Sequence, residues 1–383
     1  MRHRQSSNGF CRAACRPVAG RVTGRVTGRV TRRLTARLAG LAATVALAVF
    51  LPGCSVTSPD AAGAQSVGID GITGQQARGI AREAYLYGAP MVASYQAMYA
   101  YSLDKTGAHY KGPPNTINPV GTAAAAAANL DPGYLYSYAA LDLRAEPVVI
   151  TVPRIGKRRD ASLQLMDLYT YRLARLGSSG IGGGTFLIAG PSWKGKTPAG
   201  ITKVFRSETE LATLVGRTQR FSPADQDNAR RIQMRYKVQP LSAFQKRAAP
   251  APAPVDWAAP VPRAQMYASL AFYDELAFLL QFAPAHASDK GMRERMASLG
   301  MRPGETFETA TLNPALRRAL QEGMHDAQND IDKNRAAKGT DTDGLFGGRD
   351  ALKNDYLSRA TGAQMGLFAF GGSSAPPAPV RKK

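Results

Sequence analysis

The chain has almost no cysteine. Three occur in 383 residues, at positions 11, 15 and 54, too few and too N-terminal for a disulfide framework or a thiolate metal site. Histidine is nearly as scarce. His3, His109, His286 and His325 lie far apart, without the paired spacing that zinc requires, so neither a metal nor a cofactor is expected. A Gly-x-Ser-x-Gly elbow is missing, which removes the standard serine-hydrolase arrangement. Long apolar runs are also lacking. The uncharged stretch Leu38 to Leu51 falls short of the roughly 20 residues that cross a bilayer. Acid is in deficit, with 28 Asp and Glu against 49 Lys and Arg and a formal net charge of +21.

That charge is unevenly placed. Residues 1–54 hold ten arginines and no acid, which leaves 39 basic residues for the rest of the chain. The later cations are dispersed, and short runs such as Lys157-Arg158-Arg159 read as solvated turns. A nucleic-acid reader would cluster them with aromatics on one face, so nucleic acid is not an expected partner. The repeat "RVTGRVTGRVT" from Arg21 is low-complexity sequence. Arg32, Arg33 and Arg37 followed by the apolar stretch form a secretory signal. It ends in "LPGC", which resembles the lipobox of bacterial lipoproteins and makes Cys54 the lipidated first residue. The alternative is ordinary cleavage after Ala64. Two or three acyl chains anchor a protein to a membrane in a way one chain does not. Ser55 rather than Asp follows the cysteine. The expected location is therefore the cell envelope: an outer-membrane lipoprotein facing the periplasm, or a periplasmic protein.

Residues 55–73 read as a tether. Thr73 and Gln76 form a capping box with Ile72 outside it. Ile80, Ala84, Tyr87, Met91, Tyr95 and Met98 then follow at helical spacing, with Pro90 expected to kink that helix. From 134 the period becomes two. "YLYSYAALDL", "PVVITVP", "ASLQLMDLYTYRL" and "GTFLIAG" each read as one strand, and "ITKVF" and "LATLVGRT" add two more. Strands in succession without helices between them predict an α+β protein, an antiparallel β-sandwich of jelly-roll type with flanking helices. Helices are expected at about 223–236, 264–283, 288–299 and 314–338, the last with Asn313 as cap, Pro314 at its first position and Gly339 beyond its end. The expected divisions are 1–54, 55–73, 74–247, a Pro-rich linker 248–263, a helical segment 264–366 and a disordered tail 367–383.

The letters "GPSWKGKT" from Gly190 fit a phosphate-binding loop. Such a loop works only when a helix starts behind it and turns its amides onto the anion. Pro198 and Gly200 follow at once, so a hairpin-type corner is expected and no nucleotide. "GSSGIGGG" at 177–184 reads likewise as a turn between strands.

The segments "AREAYLYGAPMV", "LYSYAALDLRAEPVVITVP", "LQLMDLYTYRLARLG", "GPSWKG", "VGRTQ" and "GMRPGETFE" together resemble the bacterial family of domain of unknown function 1254. The resemblance spans about residues 75–365. It implies a β-rich domain with associated helices and no established reaction. The family's Asn-x-Asp-Thr segment is altered here to "NLDPGYLYS". The usual second β-rich domain is not expected after "SRATGAQMGLF", and the Pro- and Ala-rich tail reads as a frame-shifted end.

Asp142, Glu146 and Asp167 lie on or beside predicted strands with tyrosines on their faces. One reading gathers Tyr136, Tyr138, Asp142, Asp167, Tyr169 and Arg217 around a ligand pocket. There, paired carboxylates on aromatic platforms would suit a polar or saccharide-like ligand, or acid–base hydrolysis at a separation of about 5–10 Å. The other has Asp142 closing a turn and Asp167 paired with Arg144 or Arg217. Three functions follow: an exported, lipid-anchored protein binding a small molecule, saccharide or partner; a hydrolase using the paired carboxylates; and a truncated remnant.

Overall fold

The structure, a computed structural model, describes residues 66–121, 125, 130–262, 265–339 and 344–365. The leader with Cys54, most of the tether, Asn129 and the tail from 366 onward lie outside the described residues. Thr73 opens helix α1 (Gly74–Met98) through the expected capping box. The Gln76 amide donates to the Thr73 hydroxyl at 3.2 Å and the Thr73 amide to Gln76 Oε1 at 2.9 Å. Pro90 lies inside the helix, whose C-terminal end runs into a π-helical turn, Tyr99–Leu103.

Among the described residues nine strands follow: β1 (Asn118–Val120), β2 (Tyr134–Asp142), β3 (Val148–Val152), β4 (Ala161–Asp167), β5 (Arg172–Gly177), β6 (Gly184–Ala189), β7 (Lys203–Arg206), β8 (Leu211–Gln219) and β9 (Lys237–Pro240). They form a five-stranded sheet in the order β1-β2-β8-β4-β5 and a four-stranded sheet in the order β7-β6-β3-β9. All pairs are antiparallel except β6–β7. Helices α2 (Gln226–Gln233), α3 (Leu241–Phe244), α4 (Ala271–Leu279), α5 (Lys290–Ser298), α6 (Pro314–Lys338), α7 (Arg349–Leu352) and α8 (Tyr356–Gln364) complete a mixed α+β architecture. No helix among the described residues is long and apolar enough to cross a membrane.

Alternation sorts the five-stranded sheet into two faces. Tyr136, Tyr138, Ala140, Met166 and Val215 join one hydrophobic cluster with α1, α4 and α6. Ala139, Leu141, Leu163, Leu165 and Leu214 join a second with Val148, Ile150, Phe186 and Ile188 of the other sheet. Helices α1 and α6 meet closely at Gly323, where a Cβ would fall 2.4 Å from the Arg78 carbonyl oxygen. The α6 start and stop are as expected: the Asn313 side chain accepts from the Leu316 amide, Pro314 leads, and Gly339 follows with φ 58°.

Three expectations change. "ASLQLMDLYTYRL" is not one strand but β4, a tight turn and part of β5. The turn is closed by Asp167, whose Oδ1 accepts the Tyr171 amide at 2.8 Å, with Thr170 left-handed at φ 71°. The corner after Gly190 contains no helix at Lys196, but it is not a hairpin, because β7 runs parallel to β6. The Pro-rich stretch is not a free linker. Tyr95 donates to the Ala258 carbonyl at 2.6 Å and Gln96 to the Val261 carbonyl at 2.8 Å, and Trp257 stacks with Phe282 at 5.5 Å. The helices beyond it share one core with α1.

Candidate functional site

The predicted pocket residues do not converge. Asp142 stands opposite Leu211 on the face toward the helices, whereas Asp167 stands opposite Ala212 on the face toward the second sheet. A hydrolytic pair built on these two carboxylates is therefore ruled out by the register. Asp142 closes the turn after β2, accepting from the Arg144 amide at 3.1 Å and from its guanidinium at 2.9 and 2.7 Å. Arg144 is held over Trp257 and Phe282. Glu146 caps α3, accepting from the Ser242 amide and hydroxyl. Tyr136 and Tyr138 are buried, the latter edge-on to Tyr101 at 5.0 Å. Arg217 lies opposite Tyr136 in register, with its guanidinium 4.1 Å from the Tyr134 ring centre.

Asp167 and Tyr169 belong instead to a buried ionic cluster that ties the C-terminal segment to the sheet. Arg349 donates to both Glu208 oxygens at 2.8 Å and lies 3.3 Å from Asp289. Its guanidinium also lies 4.2 Å from the Tyr171 ring. Arg359, buried, packs on the same ring at 4.1 Å and donates to the Tyr169 carbonyl. Tyr356 donates to Asp289 at 2.8 Å, and Arg293 reaches the Ala283 carbonyl at 2.9 Å. Burial pushes the Asp167 carboxyl up to about 7, with Glu208 adding to the rise and Arg359 and Arg349 opposing it. The cluster fastens the C-terminal helices to the sheet, although Asp167 Oδ2 and Arg359 Nε are buried within it without a hydrogen-bond partner. Neither Arg144 nor Arg217 pairs with Asp167. The nearby cations are Arg349 and Arg359, roughly 180 residues away in the chain, a distance no local pattern spans.

An open site lies elsewhere. Pro153 ends β3 and the chain turns at Gly156, whose carbonyl accepts the Arg159 amide at 3.1 Å. Beyond β8 the chain passes Phe221, enters α2 behind Pro223 and leaves it at Met234. Between these connections is a basin of about 260 Å³ lined by Arg154, Ile155, Arg158, Arg159, Phe221, Ile232 and Arg235, with Gly156 in its wall. Ile155 and Ile232 pack onto the inter-sheet cluster and make an apolar floor. Arg159 is neutralised from outside: Asp225 accepts from it at 2.6 and 2.9 Å. That hydrogen bonding holds the Asp225 carboxyl well below the ordinary carboxylate range. The same guanidinium sits 4.4 Å over the Phe221 ring. Arg154, Arg158 and Arg235 have no ion-pair partner among the described residues, and no carboxylate lines the basin.

Chemically the basin has a lining suited to an anion. Guanidiniums match carboxylate and phosphate oxygens in bidentate geometry and remain charged at all working pH values. The volume suits a small charged head group more than a drug-sized body. Lys157-Arg158-Arg159 has the local pattern of a solvated turn, which conceals the site in the sequence. The available signal was strand pairing, which brings the ends of β3 and β8 to the same edge as the start of β9.

Among the described residues no cluster of three or more His, Cys, Asp or Glu is placed to hold a metal ion. Fold and site together define a mixed α+β protein with two sheets and a cationic basin where strands of both sheets end. Residues 114–240 match the model of the family described as protein of unknown function (DUF1254). No curated protein matches it. Among solved structures, the VPA0106 protein from Vibrio parahaemolyticus is 23% identical, with a TM-score of 0.61 over 77% of this chain and 68% of that one, so the two share a fold. An uncharacterized protein from Burkholderia cenocepacia is 13% identical over 64% of this chain and 51% of its own, with a TM-score of 0.23, too low to bear on the fold.

Proposed function

We propose that the protein is an exported, lipid-anchored envelope protein that binds an anionic ligand in the arginine basin and does not transform it. In this reading the two sheets form a β-sandwich of jelly-roll type that presents the basin at one end. The observation that carries the binding half is the set of three guanidiniums, Arg154, Arg158 and Arg235, which line one basin with no facing acid. The separation of Asp142 from Asp167 removes the paired carboxylates on which the hydrolytic alternative rested. The export half rests on the arginine-rich leader, its apolar stretch and "LPGC".

Each half has its own experiment. Isothermal titration of the full chain with pyrophosphate at low salt should give saturable binding that weakens as salt rises. A neutral disaccharide should give none. An Arg154→Glu, Arg235→Glu double variant with unchanged pyrophosphate affinity would remove the basin from the account. For anchoring, a Cys54→Ser variant should leave the membrane fraction on cell fractionation. Retention there at wild-type level would end the lipid-anchor assignment.

A further inference from the structure

Three large apolar side chains stand exposed among the described residues: Ile181 at 51%, Phe221 at 57% and Met234 at 73%. Strand register puts all three at the same end. Val152 is opposite Gly184, Ser162 opposite Gly177, Ala161 opposite Thr218 and Thr151 opposite Lys237. The connections 153–160, 178–183 and 220–236 therefore emerge together, around the basin. The packing of Gly183 confirms the proximity, since a Cβ there would fall 2.8 Å from the Arg154 amide nitrogen. These connections carry eight Lys and Arg against three Asp. The exposed apolar tips and a concentration of unneutralised cations thus coincide on one surface.

We infer that this end of the molecule docks on an anionic lipid surface, with lipid phosphates entering the arginine basin and Phe221, Met234 and Ile181 entering the boundary between head groups and acyl chains. The inference rests on the reading of the basin as an anion receptor and adds the source of the anion. A free phosphate would account for the arginines and leave the apolar tips without a role. A protein partner would favour one contiguous apolar patch with a polar rim. Here the three tips stand on separate connections with cations between them. A bilayer interface accepts that pattern, because apolar residues insert singly while each Lys or Arg near the surface gains from the anionic head groups.

The test is co-sedimentation of the full chain with vesicles of phosphatidylcholine alone and of phosphatidylcholine mixed with phosphatidylglycerol, with pyrophosphate titrations run on the same proteins. Wild type is compared with Ile181→Ser, Met234→Ser and with Arg154→Glu, Arg235→Glu, the first pair lying outside the basin lining. Both variants keep the leader and Cys54, so those contributions cancel, and all four positions are exposed, so folding is preserved. Each double variant should lower partition onto the anionic vesicles about tenfold or more. The apolar pair should retain wild-type pyrophosphate affinity. If the apolar pair binds anionic vesicles like wild type while pyrophosphate still titrates, the lipid inference falls and the anion receptor stands. If wild type takes up neither pyrophosphate nor anionic vesicles in a basin-dependent manner, both fall.

Discussion

Asp167→Asn should change how stability depends on pH. The Asp167 carboxyl is fully buried at the mouth of the β4–β5 turn, and its pKa in the folded protein is about 7 against an ordinary 3.8. A carboxyl whose pKa rises on folding binds its proton more tightly in the native state, so its favourable contribution is complete below pH 3.8 and is lost as pH rises through 7. At 1.36 kcal/mol per pH unit, the part of that window between pH 5 and pH 8 amounts to about 3 kcal/mol. Asparagine preserves the shape and the acceptor for the Tyr171 amide and does not titrate. Urea unfolding of both proteins at pH 5 and pH 8 isolates the effect, because every other titrating group cancels in the difference. Wild type should lose about 3 kcal/mol relative to the variant over that interval. A wild-type-minus-variant difference equal at the two pH values would refute the assignment of Asp167 as a desolvated acid.

The remaining predictions concern how the helical layer is held. Gly323→Ala would push a methyl group against the α1 backbone and should destabilise by about 1–3 kcal/mol, seen as a lower urea midpoint with an unchanged slope. Arg349→Met would strand Glu208 and Asp289 without their cation and should cost about 3–5 kcal/mol. Breaking the exposed Arg302–Glu305 pair by Arg302→Ala should cost about 1 kcal/mol or less. Similar losses for the two arginine variants in chemical denaturation would contradict the view that burial makes the Arg349 cluster a fastener.

Several elements were legible because their signals are local. Thr73 with Gln76 and Asn313 with Pro314 specify helix starts through groups three residues apart or closer, Gly339 marks a helix end on its own, and alternation over 134–142 specifies a strand without reference to its neighbours. The turn at Thr170 was hidden because Leu-Tyr-Thr-Tyr has the composition of a strand, and the left-handed residue is a threonine rather than a glycine. The parallel β6–β7 pair and the docking of the Pro-rich stretch depend on partners distant in sequence. The candidate site failed for the same reason. Asp142 and Asp167 each occupy alternating patterns that look alike, and only the β8 register assigns them to opposite faces. Arg154 and Arg235 are 81 positions apart and meet only because β3 ends where β9 begins.

Anomalous diffraction from crystals of the full chain soaked in tungstate tests the central claim most directly. The account predicts a tungstate within hydrogen-bonding reach of Arg154, Arg158 and Arg235, absent from the Arg154→Glu, Arg235→Glu variant. Tungstate bound only at other surface cations, or bound equally in both proteins, would contradict it.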